Sequence, residues 1–402
     1  MIWQIIHIID IALWLFMAAS TVYILFFALV SILWKKRVSR LTRYLTGQVL
    51  AMRKKDHFSY LILYPAYNED RVIVNSVQKF LAQYYPYSCF HVAVISDHMQ
   101  PETNQKLGEL PITLLQPVFE KSSKAKAMQY AMDQIKEEYD FIVILDADNV
   151  VEPHFLEQLN TECAKGYKAI QCHRCAKNSD NDIAVLDGVS EEINNTIFRK
   201  AHNRIGLSSA LIGSGMCFDF QWFKENVNNL STAGEDRELE ALLLKDKIFI
   251  KYESQIHVYD EKVSNKDNFQ KQRLRWMTVQ IQSLFNLLHY IPKAIMTLNL
   301  DYIDKTIQQA LIPRSLLVVG ALGMSLFVTA FSFIFSLSWY IKWWCLFLAV
   351  CIALYIATPK QLRKHSVFGR ILSLPKLVWK MAMNILKIDR KNTDFLHTSH
   401  EK

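Results

Sequence analysis

The middle of the chain alternates between two patterns of apolar and polar residues. Short apolar runs that end on polar residues are typical of buried strands, and four such runs are SYLILYPAYN (59–68), FHVAVISD (90–97), PITLLQP (111–117) and FIVILDAD (141–148). The intervening segments 70–84 and 124–138 have apolar residues at helical spacing or are rich in helix-forming residues. Strands that alternate with helices predict an α/β domain with a mostly parallel sheet and helices on both of its faces.

Uncharged apolar stretches flank this domain on both sides. Residues 11–34 contain no charge, and a membrane-spanning helix needs only about 20 apolar residues. No Lys or Arg precedes this stretch and a basic cluster (35–43) follows it, which favours a retained anchor over a cleaved signal peptide. Residues 315–336 and 339–357 predict two further spans, the second of which contains Lys342.

These patterns divide the chain into five regions. The regions are an N-terminal transmembrane anchor (1–35), the α/β domain (36–280), amphipathic interfacial helices (281–310), a transmembrane hairpin (311–358) and a basic tail (359–402). Because basic residues concentrate on the cytoplasmic side of a membrane, the α/β domain and the tail are expected in the cytoplasm. The amphipathic segments near 280–300 and 374–388 have two interpretations, a helix on the membrane surface or a helix packed on the protein.

Composition narrows the class of protein. The chain has 402 residues, of which 51% are hydrophobic and 21% charged, and a formal net charge of +8. The positive charge is concentrated beside the predicted spans, which indicates attraction to anionic lipid and not nucleic-acid binding. Among the seven cysteines, Cys172 and Cys175 form a CxxC around His173, but no second ligand pair follows at zinc-finger spacing. Two ordinary thiols in a reducing compartment are therefore expected there.

Two carboxylates, Asp146 and Asp148, stand directly after the fourth predicted strand. Mg²⁺ and Mn²⁺ prefer oxygen ligands, and Mg²⁺ is usually held by one or two carboxylates together with phosphate oxygens. The pattern therefore suggests a divalent cation with a nucleotide diphosphate as its other ligand. A helix cap or a solvated turn is the alternative, because Asp-x-Asp is a common tripeptide. Asp97 and the YPAYNED loop fall at other strand ends, the edge at which parallel sheets bind ligands.

Seven short motifs occur in order along the chain: PAYNED, SD, SKAKAMQYA, DADN, GSGM, GED and QRLRW. The series resembles the family 2 glycosyltransferases, which include membrane-bound polysaccharide and chitooligosaccharide synthases. The resemblance covers residues 58–280, approximately the predicted α/β domain. It implies a GT-A fold, which is a Rossmann-like α/β domain, and inverting transfer of a sugar from a nucleotide sugar.

The resemblance also implies roles for individual residues. Ala66, Tyr67, Glu69 and Asp97 would hold the uridine of the donor, Lys124 its diphosphate, Asp146 the nucleotide, and Asp148 a Mg²⁺ or Mn²⁺ ion. Gly213, Ser214 and Gly215 would line the acceptor side, Asp236 would be the catalytic base, and Glu235, Gln272, Arg275 and Trp276 would contact the acceptor and the diphosphate. Two positions depart from the family pattern, because Ser123 replaces the usual glycine and Gln129 the usual asparagine.

Each of these residues also has a structural interpretation. Inverting transfer needs a base behind the acceptor hydroxyl and stabilisation of the departing diphosphate, and the motifs supply both. The structural alternatives are a helix N-terminus for the acids of GED, a membrane interface for the arginine and tryptophan of QRLRW, and a solvated helix surface for Lys124. His257 is either a further metal ligand or a structural histidine, and the second interpretation is favoured.

The sequence thus predicts a multi-pass protein of the plasma or inner membrane with a cytoplasmic catalytic domain. It would move a sugar from a UDP-sugar to a growing glycan or a lipid-linked acceptor, in the synthesis of an extracellular or envelope polysaccharide. Transfer of a single sugar to a lipid carrier is the alternative, because three spans make a thin channel for a polymer. A catalytically inactive membrane scaffold or nucleotide sensor is an alternative of another class, and the presence of Asp148, Asp236 and Arg275 argues against it.

Overall fold

The computed structural model describes residues 1–34, 55–178, 182–262 and 266–363. The basic cluster 35–43, the amphipathic segment 374–388 and nearly all of the predicted tail lie outside the described residues.

One mixed sheet forms the centre of the α/β domain. Its eight strands are β1 (Tyr60–Tyr67), β2 (Phe90–Asp97), β3 (Thr113–Leu115), β4 (Phe141–Ile144), β5 (Val150–Val151), β6 (Ala169–Ala176), β7 (Met216–Asp219) and β8 (Ile250–Asp260). Their order in the sheet is β3-β2-β1-β4-β7-β6-β8-β5. The first four strands along the chain are parallel, whereas β7 runs antiparallel to both β4 and β6, and β5 runs antiparallel to β8. The predicted α/β class and mostly parallel sheet are confirmed.

Helices cover the sheet, and further helices precede and follow the strands in the sequence. They are α1 (Ile2–Leu33), α2 (Ile73–Leu81), α3 (Pro101–Gly108), α4 (Lys124–Gln134), α5 (Phe155–Ala164), α6 (Asp182–Asn194), α7 (His202–Ile205), α8 (Phe220–Asn226), α9 (Glu235–Lys245), α10 (Lys266–Leu288), α11 (Ile291–Met296), α12 (Leu300–Ala310), α13 (Arg314–Ala330) and α14 (Leu337–Ala357). A π-helical turn, Asn195–Ala201, joins α6 to α7, and short 3₁₀ turns occur at Tyr87–Cys89, Val227–Asn229 and Lys360–Leu362.

The alternation of side chains along the strands explains why both faces of the sheet are covered. Along β1, Tyr60 and Ile62 belong to one apolar core, and Leu61 and Leu63 belong to the other, all of them fully buried. The first core is completed by residues of α2 and α5, and the second by residues of α4, α8 and α9. A strand that is apolar on both faces needs such a layer on each side, as the near-continuous apolar runs predicted.

Among the described residues, two helices, α1 and α14, are long and apolar enough to cross a membrane. A third span is possible by length and composition if α12 and α13, which meet at a 50° bend, are counted together. Helices α1, α13 and α14 share an apolar core that contains Met17, Leu317 and Trp343. The predicted hairpin therefore corresponds to α13 and α14, although α13 ends at Ala330 and is shorter than the predicted span.

The predicted interfacial region 281–310 contains the end of α10 together with α11 and α12. One side of α12 packs on the α/β domain, where Tyr302 is fully buried and Lys305 forms an ion pair of 2.6 Å with Glu240. The large apolar side chains of Ile295 and Met296 in α11 are exposed. Contact of this region with a membrane surface stays a prediction.

Candidate functional site

The N-terminus of α4 brings Lys124 into a cluster of charged residues. Ser123 caps this helix, because its hydroxyl accepts a hydrogen bond of 3.2 Å from the Lys126 amide. The Lys124 ammonium donates to an Asp146 carboxylate oxygen and, over 2.6 Å, to the Gly213 carbonyl. It also lies 3.9 Å from Glu235. Lys124 is only 14% exposed, so it belongs to this cluster and is not a solvated helix residue.

The two departures from the family pattern both have a structural use here. Ser123 supplies the side-chain cap that a glycine could not supply. The Gln129 side-chain amide donates to the carbonyls of Val227 and Leu230, over 3.1 and 2.9 Å, and thereby ties α4 to the segment before the GED turn.

Charges in the cluster shift one another's protonation. Burial would lower the pKa of Lys124, but Asp146 and Glu235 outweigh it and raise the pKa of this ammonium, so it stays charged. Burial raises the pKa of Glu235 to about 7, because the attraction of Lys124 offsets only part of the desolvation and Asp236 adds repulsion. Glu235 thus titrates in the neutral range, whereas Lys124 remains a cation.

Asp148 lies in a buried group of carboxylates that suits a divalent cation. Its two oxygens accept hydrogen bonds from the Asn149 side chain (3.0 Å) and the Glu261 backbone amide (2.8 Å). Burial, followed by repulsion from Asp260 and Asp146, raises the pKa of Asp148 well above its usual range. Acidic oxygens crowded in this way are the donor set that Mg²⁺ and Mn²⁺ prefer, so the residues fit such an ion.

The predicted uridine-binding residues meet at the carboxyl ends of β1 and β2. Ala66 and Tyr67 pair in register with Ser96 and Asp97, so the two strand ends lie side by side. The Glu69 amide follows directly and contacts the Met99 sulfur at 3.1 Å. Burial raises the pKa of Glu69 to about 8, and the nearby Asp148 and Asp146 add to the effect. The sequence motifs PAYNED and SD therefore lie side by side at this edge of the sheet, and their binding of uridine stays a prediction.

The GSGM loop passes between the lysine cluster and the GED turn. Gly213 and Gly215 have φ values of +85° and +62°, a conformation that favours glycine. A Cβ at Gly215 would lie 2.9 Å from Val258 Cγ2, and one at Gly213 would lie 4.0 Å from an Asp236 carboxylate oxygen. The Ser214 hydroxyl accepts a hydrogen bond of 3.1 Å from the Asp146 amide. The glycine loop, Asp236 and the DADN motif are thus neighbours.

The QRLRW motif lies on α10, and this helix packs against the GED turn. A Cβ at Gly234 would lie 2.3 Å from Val279 Cγ1, so the Val279 side chain can lie against the GED turn only because residue 234 is glycine. The Arg273 guanidinium stacks 4.6 Å from the centre of the Trp276 ring. Gln272 has a buried side-chain oxygen with no hydrogen-bond partner among the described residues, and Arg275 is partly buried.

Sequence reasoning missed Arg174 and Asp260. Arg174 on β6 lies 4.0 Å from Asp146, 3.8 Å from Asp260 and 2.9 Å from Glu191. Glu191 is held in turn by Arg199 in the π-helical turn, at 3.4 Å. The available signals were an arginine within the segment AIQCHRCA and an acid at the end of the segment HVYD, which resembles the pattern that pointed to Asp146. His257 lies 3.7 Å from Glu152 and does not join the carboxylates around Asp146 and Asp148.

Comparison with known proteins identifies the family and the fold. A model of the family described as "Glycosyltransferase like family 2" matches residues 58–278. No curated protein matches the sequence. The mannosyltransferase PcManGT from Pyrobaculum calidifontis, solved in complex with GDP-Man and Mn²⁺, aligns with a TM-score of 0.52 and 14% identity, over 86% of this chain and 98% of that one. TarS (1–349) from S. aureus aligns with a TM-score of 0.43 and 12% identity, over 82% and 91% of the two chains.

The family model covers more than half of the chain, including every motif from PAYNED to QRLRW, and the mannosyltransferase shares the fold. The chain therefore belongs to the family 2-like glycosyltransferases.

Proposed function

We propose that this glycosyltransferase transfers the sugar of a UDP-sugar, with inversion, to a growing glycan or a lipid-linked acceptor at the cytoplasmic face of a membrane. The proposal is carried by the convergence of Lys124, Asp146 and the Gly213 carbonyl with the acidic turn at Glu235 and Asp236. A cation suited to a diphosphate thus lies beside a carboxylate suited to an acceptor hydroxyl, and the reaction needs both.

In the proposed reaction, Asp236 accepts the proton of the acceptor hydroxyl as its oxygen attacks the anomeric carbon. The bond from that carbon to the diphosphate breaks on the opposite side, and its electron pair leaves with UDP. Lys124 stabilises the charge on the departing diphosphate. Its ammonium already has anionic partners in Asp146 and Glu235. The diphosphate of the donor would replace one of these partners, so the buried cation is never left unpaired.

Asp148, with Asp146 and Asp260 beside it, would hold a Mg²⁺ or Mn²⁺ ion. When bound, such an ion would offset negative charge on the leaving diphosphate. The role of the chain is to keep these carboxylates together, and Arg174 does so by lying within 4.0 Å of both Asp146 and Asp260.

The donor can be tested directly. The full chain, purified with its membrane helices, is incubated with a panel of UDP-sugars and with GDP-mannose, the donor in the PcManGT structure, and release of the nucleoside diphosphate is measured. We expect UDP release from at least one UDP-sugar, lost with EDTA and restored by Mg²⁺ or Mn²⁺. Release from GDP-mannose alone would overturn the donor assignment, and no release from any donor would overturn the proposed function.

Product length separates the growing glycan from the single transfer. The QRLRW motif on α10 favours a polymer, while the two or three candidate spans in the described part of the chain leave little room for a channel. Membranes that contain the enzyme are incubated with labelled donor, and the products are separated by size. A ladder of products indicates that the enzyme elongates a glycan, and one discrete lipid-linked species indicates transfer of a single sugar.

A further inference from the structure

One face of strands β6 and β8 carries a cluster of metal-binding side chains that the glycosyl transfer does not use. His173, Cys175 and His257 each offer one ligand atom, and these three atoms lie within 4.8 Å of one another. His173 pairs with His257 in the parallel register, and Cys175 follows His173 by two positions, so all three point to the same face. A register shift between Cys172 and His173 brings the two histidines opposite each other, with ring centres 5.3 Å apart.

Neighbouring groups orient this cluster for an ion. The Tyr252 hydroxyl is hydrogen-bonded to Nδ1 of His173, which leaves Nε2 of that ring for a metal. A Glu192 carboxylate oxygen lies 3.0 Å from this Nε2, and a Glu152 oxygen lies 3.7 Å from Nδ1 of His257. Metal-binding histidines are commonly fixed by a hydrogen bond to their second ring nitrogen. The three clustered residues are partly exposed, so an ion can reach them from solvent.

We propose that His173, Cys175 and His257, with Glu192 as the fourth ligand, form a structural zinc site. Two imidazoles, a thiolate and a carboxylate are ligands that zinc binds tetrahedrally, whereas Mg²⁺ and Mn²⁺ prefer oxygen ligands. Ligand atoms around one tetrahedral zinc ion lie about 3.5 Å apart, so the three atoms must approach one another by only about 1 Å.

The site differs from the CxxC that the sequence offered. Cys172 is fully buried in an apolar core beside Val258, and its thiol does not join the cluster. The zinc ligands therefore come from two strands distant in sequence and from helix α6, which is why no regular spacing marks them.

The position of the site indicates its role. Arg174 and Asp260 alternate with the zinc ligands along the same two strands, so their side chains point to the opposite face, where they meet the DAD motif. Zinc clamps β6 to β8 next to the register shift. It thereby holds in place the backbone from which Arg174 and Asp260 reach the catalytic centre.

Zinc X-ray absorption on the purified full chain tests the ligand set without any substitution. We expect one bound zinc ion with nitrogen and oxygen ligands and a single sulfur at about 2.3 Å. A chain that binds no zinc, or binds it without sulfur, overturns the proposal. This measurement of metal binding does not depend on the sugar donor. The zinc proposal can therefore fail while the proposed glycosyl transfer holds, and the proposed glycosyl transfer can fail while the zinc proposal holds.

Cobalt replacement then assigns the sulfur. Co²⁺ added to the zinc-free full chain is expected to give a thiolate-to-cobalt charge-transfer band that Cys175→Ser abolishes. Cys89→Ser, which changes a partly exposed cysteine elsewhere, is the matched control and keeps the band, as does Asp148→Asn, which alters the expected Mg²⁺ or Mn²⁺ site. A band that persists in Cys175→Ser overturns the proposal. Zinc also raises the unfolding midpoint of the wild type by about 3 °C or more, and leaves that of Cys175→Ser unchanged.

Discussion

At the scale of single residues, the candidate site depends on which carboxylate of the GED turn faces the acceptor. Glu235 points toward Lys124, at 3.9 Å, whereas an Asp236 oxygen is directed at the glycine loop, 4.0 Å from the position of a Cβ on Gly213. In the proposed reaction, Glu235 would therefore belong to the diphosphate side, and Asp236 to the side where small residues leave space for an acceptor.

This division predicts that Asp236→Asn abolishes catalysis and spares donor binding. The amide has the shape of the carboxylate but cannot take the proton, so we expect kcat to fall by about 10²–10⁴-fold while the Kd for UDP stays within error. Steady-state kinetics and calorimetric UDP binding measure the two quantities.

The matched control is Asp133→Asn, which changes an exposed aspartate near the end of α4 and should leave both quantities at the wild-type value. If Asp236→Asn retained wild-type kcat, Asp236 would not be the base.

The Glu235 carboxyl gives a prediction for pH. Its pKa is raised from 4.5 to about 7 in the folded chain, chiefly by burial. The folded protein thus binds a proton that the unfolded chain has lost, and stability falls as pH rises from about 4.5 to 7, by at most about 3 kcal/mol. Glu235→Gln removes this pH dependence. The unfolding midpoint of the variant, relative to that of the wild type, should therefore be higher at pH 8 than at pH 4.5.

Thermal unfolding of both proteins across this pH range measures the effect. An equal difference between variant and wild type at every pH would show that Glu235 keeps its ordinary pKa.

At the scale of elements, the approach of α9 to α10 depends on one missing side chain. We expect Gly234→Ala to push the two helices apart, because the new Cβ would lie 2.3 Å from Val279 Cγ1. Overpacking of this kind destabilises by about 1–3 kcal/mol. Since Asp236 follows two residues later, kcat should fall together with the unfolding midpoint.

Gly108→Ala is the matched control, because a Cβ at the end of α3 would meet nothing within 4 Å. Its unfolding midpoint should be unchanged or slightly higher, since replacing a helical glycine by alanine stabilises by up to about 1 kcal/mol where the space is free. A Gly234→Ala variant that behaved like this control would contradict the proposed packing.

Local patterns explain which elements were predictable. The strand 90–97 and the start of α4 at Lys124 were predicted at their observed ends, because an apolar run and a helix-forming run are both marked in the residues themselves. The antiparallel insertion of β7 between β4 and β6 was not predicted, because nothing in the segment MCFD specifies which strands it pairs with.

The same limit applies to the site. Asp146, Lys124 and the glycine loop were found because they belong to short ordered motifs. Arg174 and the pair of His173 and His257 depend on how β6 and β8 align across the register shift, which is a property of the tertiary structure. Ion pairs between distant strands leave no periodic trace in the sequence.

At the scale of the whole molecule, a polar contact joins the two helices most suited to a membrane. Helix α1 begins at Ile2, ahead of the predicted uncharged run, and so includes Asp10. The Asp10 carboxylate is buried, pairs with the Lys342 ammonium of α14 and accepts a hydrogen bond of 3.0 Å from the Trp343 indole. The lysine that interrupted the predicted span thus has a partner on α1.

This contact predicts a specific pattern in paired substitutions. Lys342→Met leaves a buried carboxylate without its cation, and breaking such a pair costs about 3–5 kcal/mol. The unfolding midpoint in detergent should therefore fall clearly. Asp10→Asn combined with Lys342→Met removes both charges and should recover most of the loss, because the remaining asparagine is neutral and can still accept from Trp343.

Lys360→Met, at an exposed lysine just after α14, is the control and should match the wild type. The comparison that decides is between the single and the double variant. If both lost the same stability, the lysine would act through the cation–π contact of its ammonium with Trp339, whose ring centre lies 4.3 Å away. If neither lost stability, the two helices would be held by apolar packing alone, and the charged pair would only set their register.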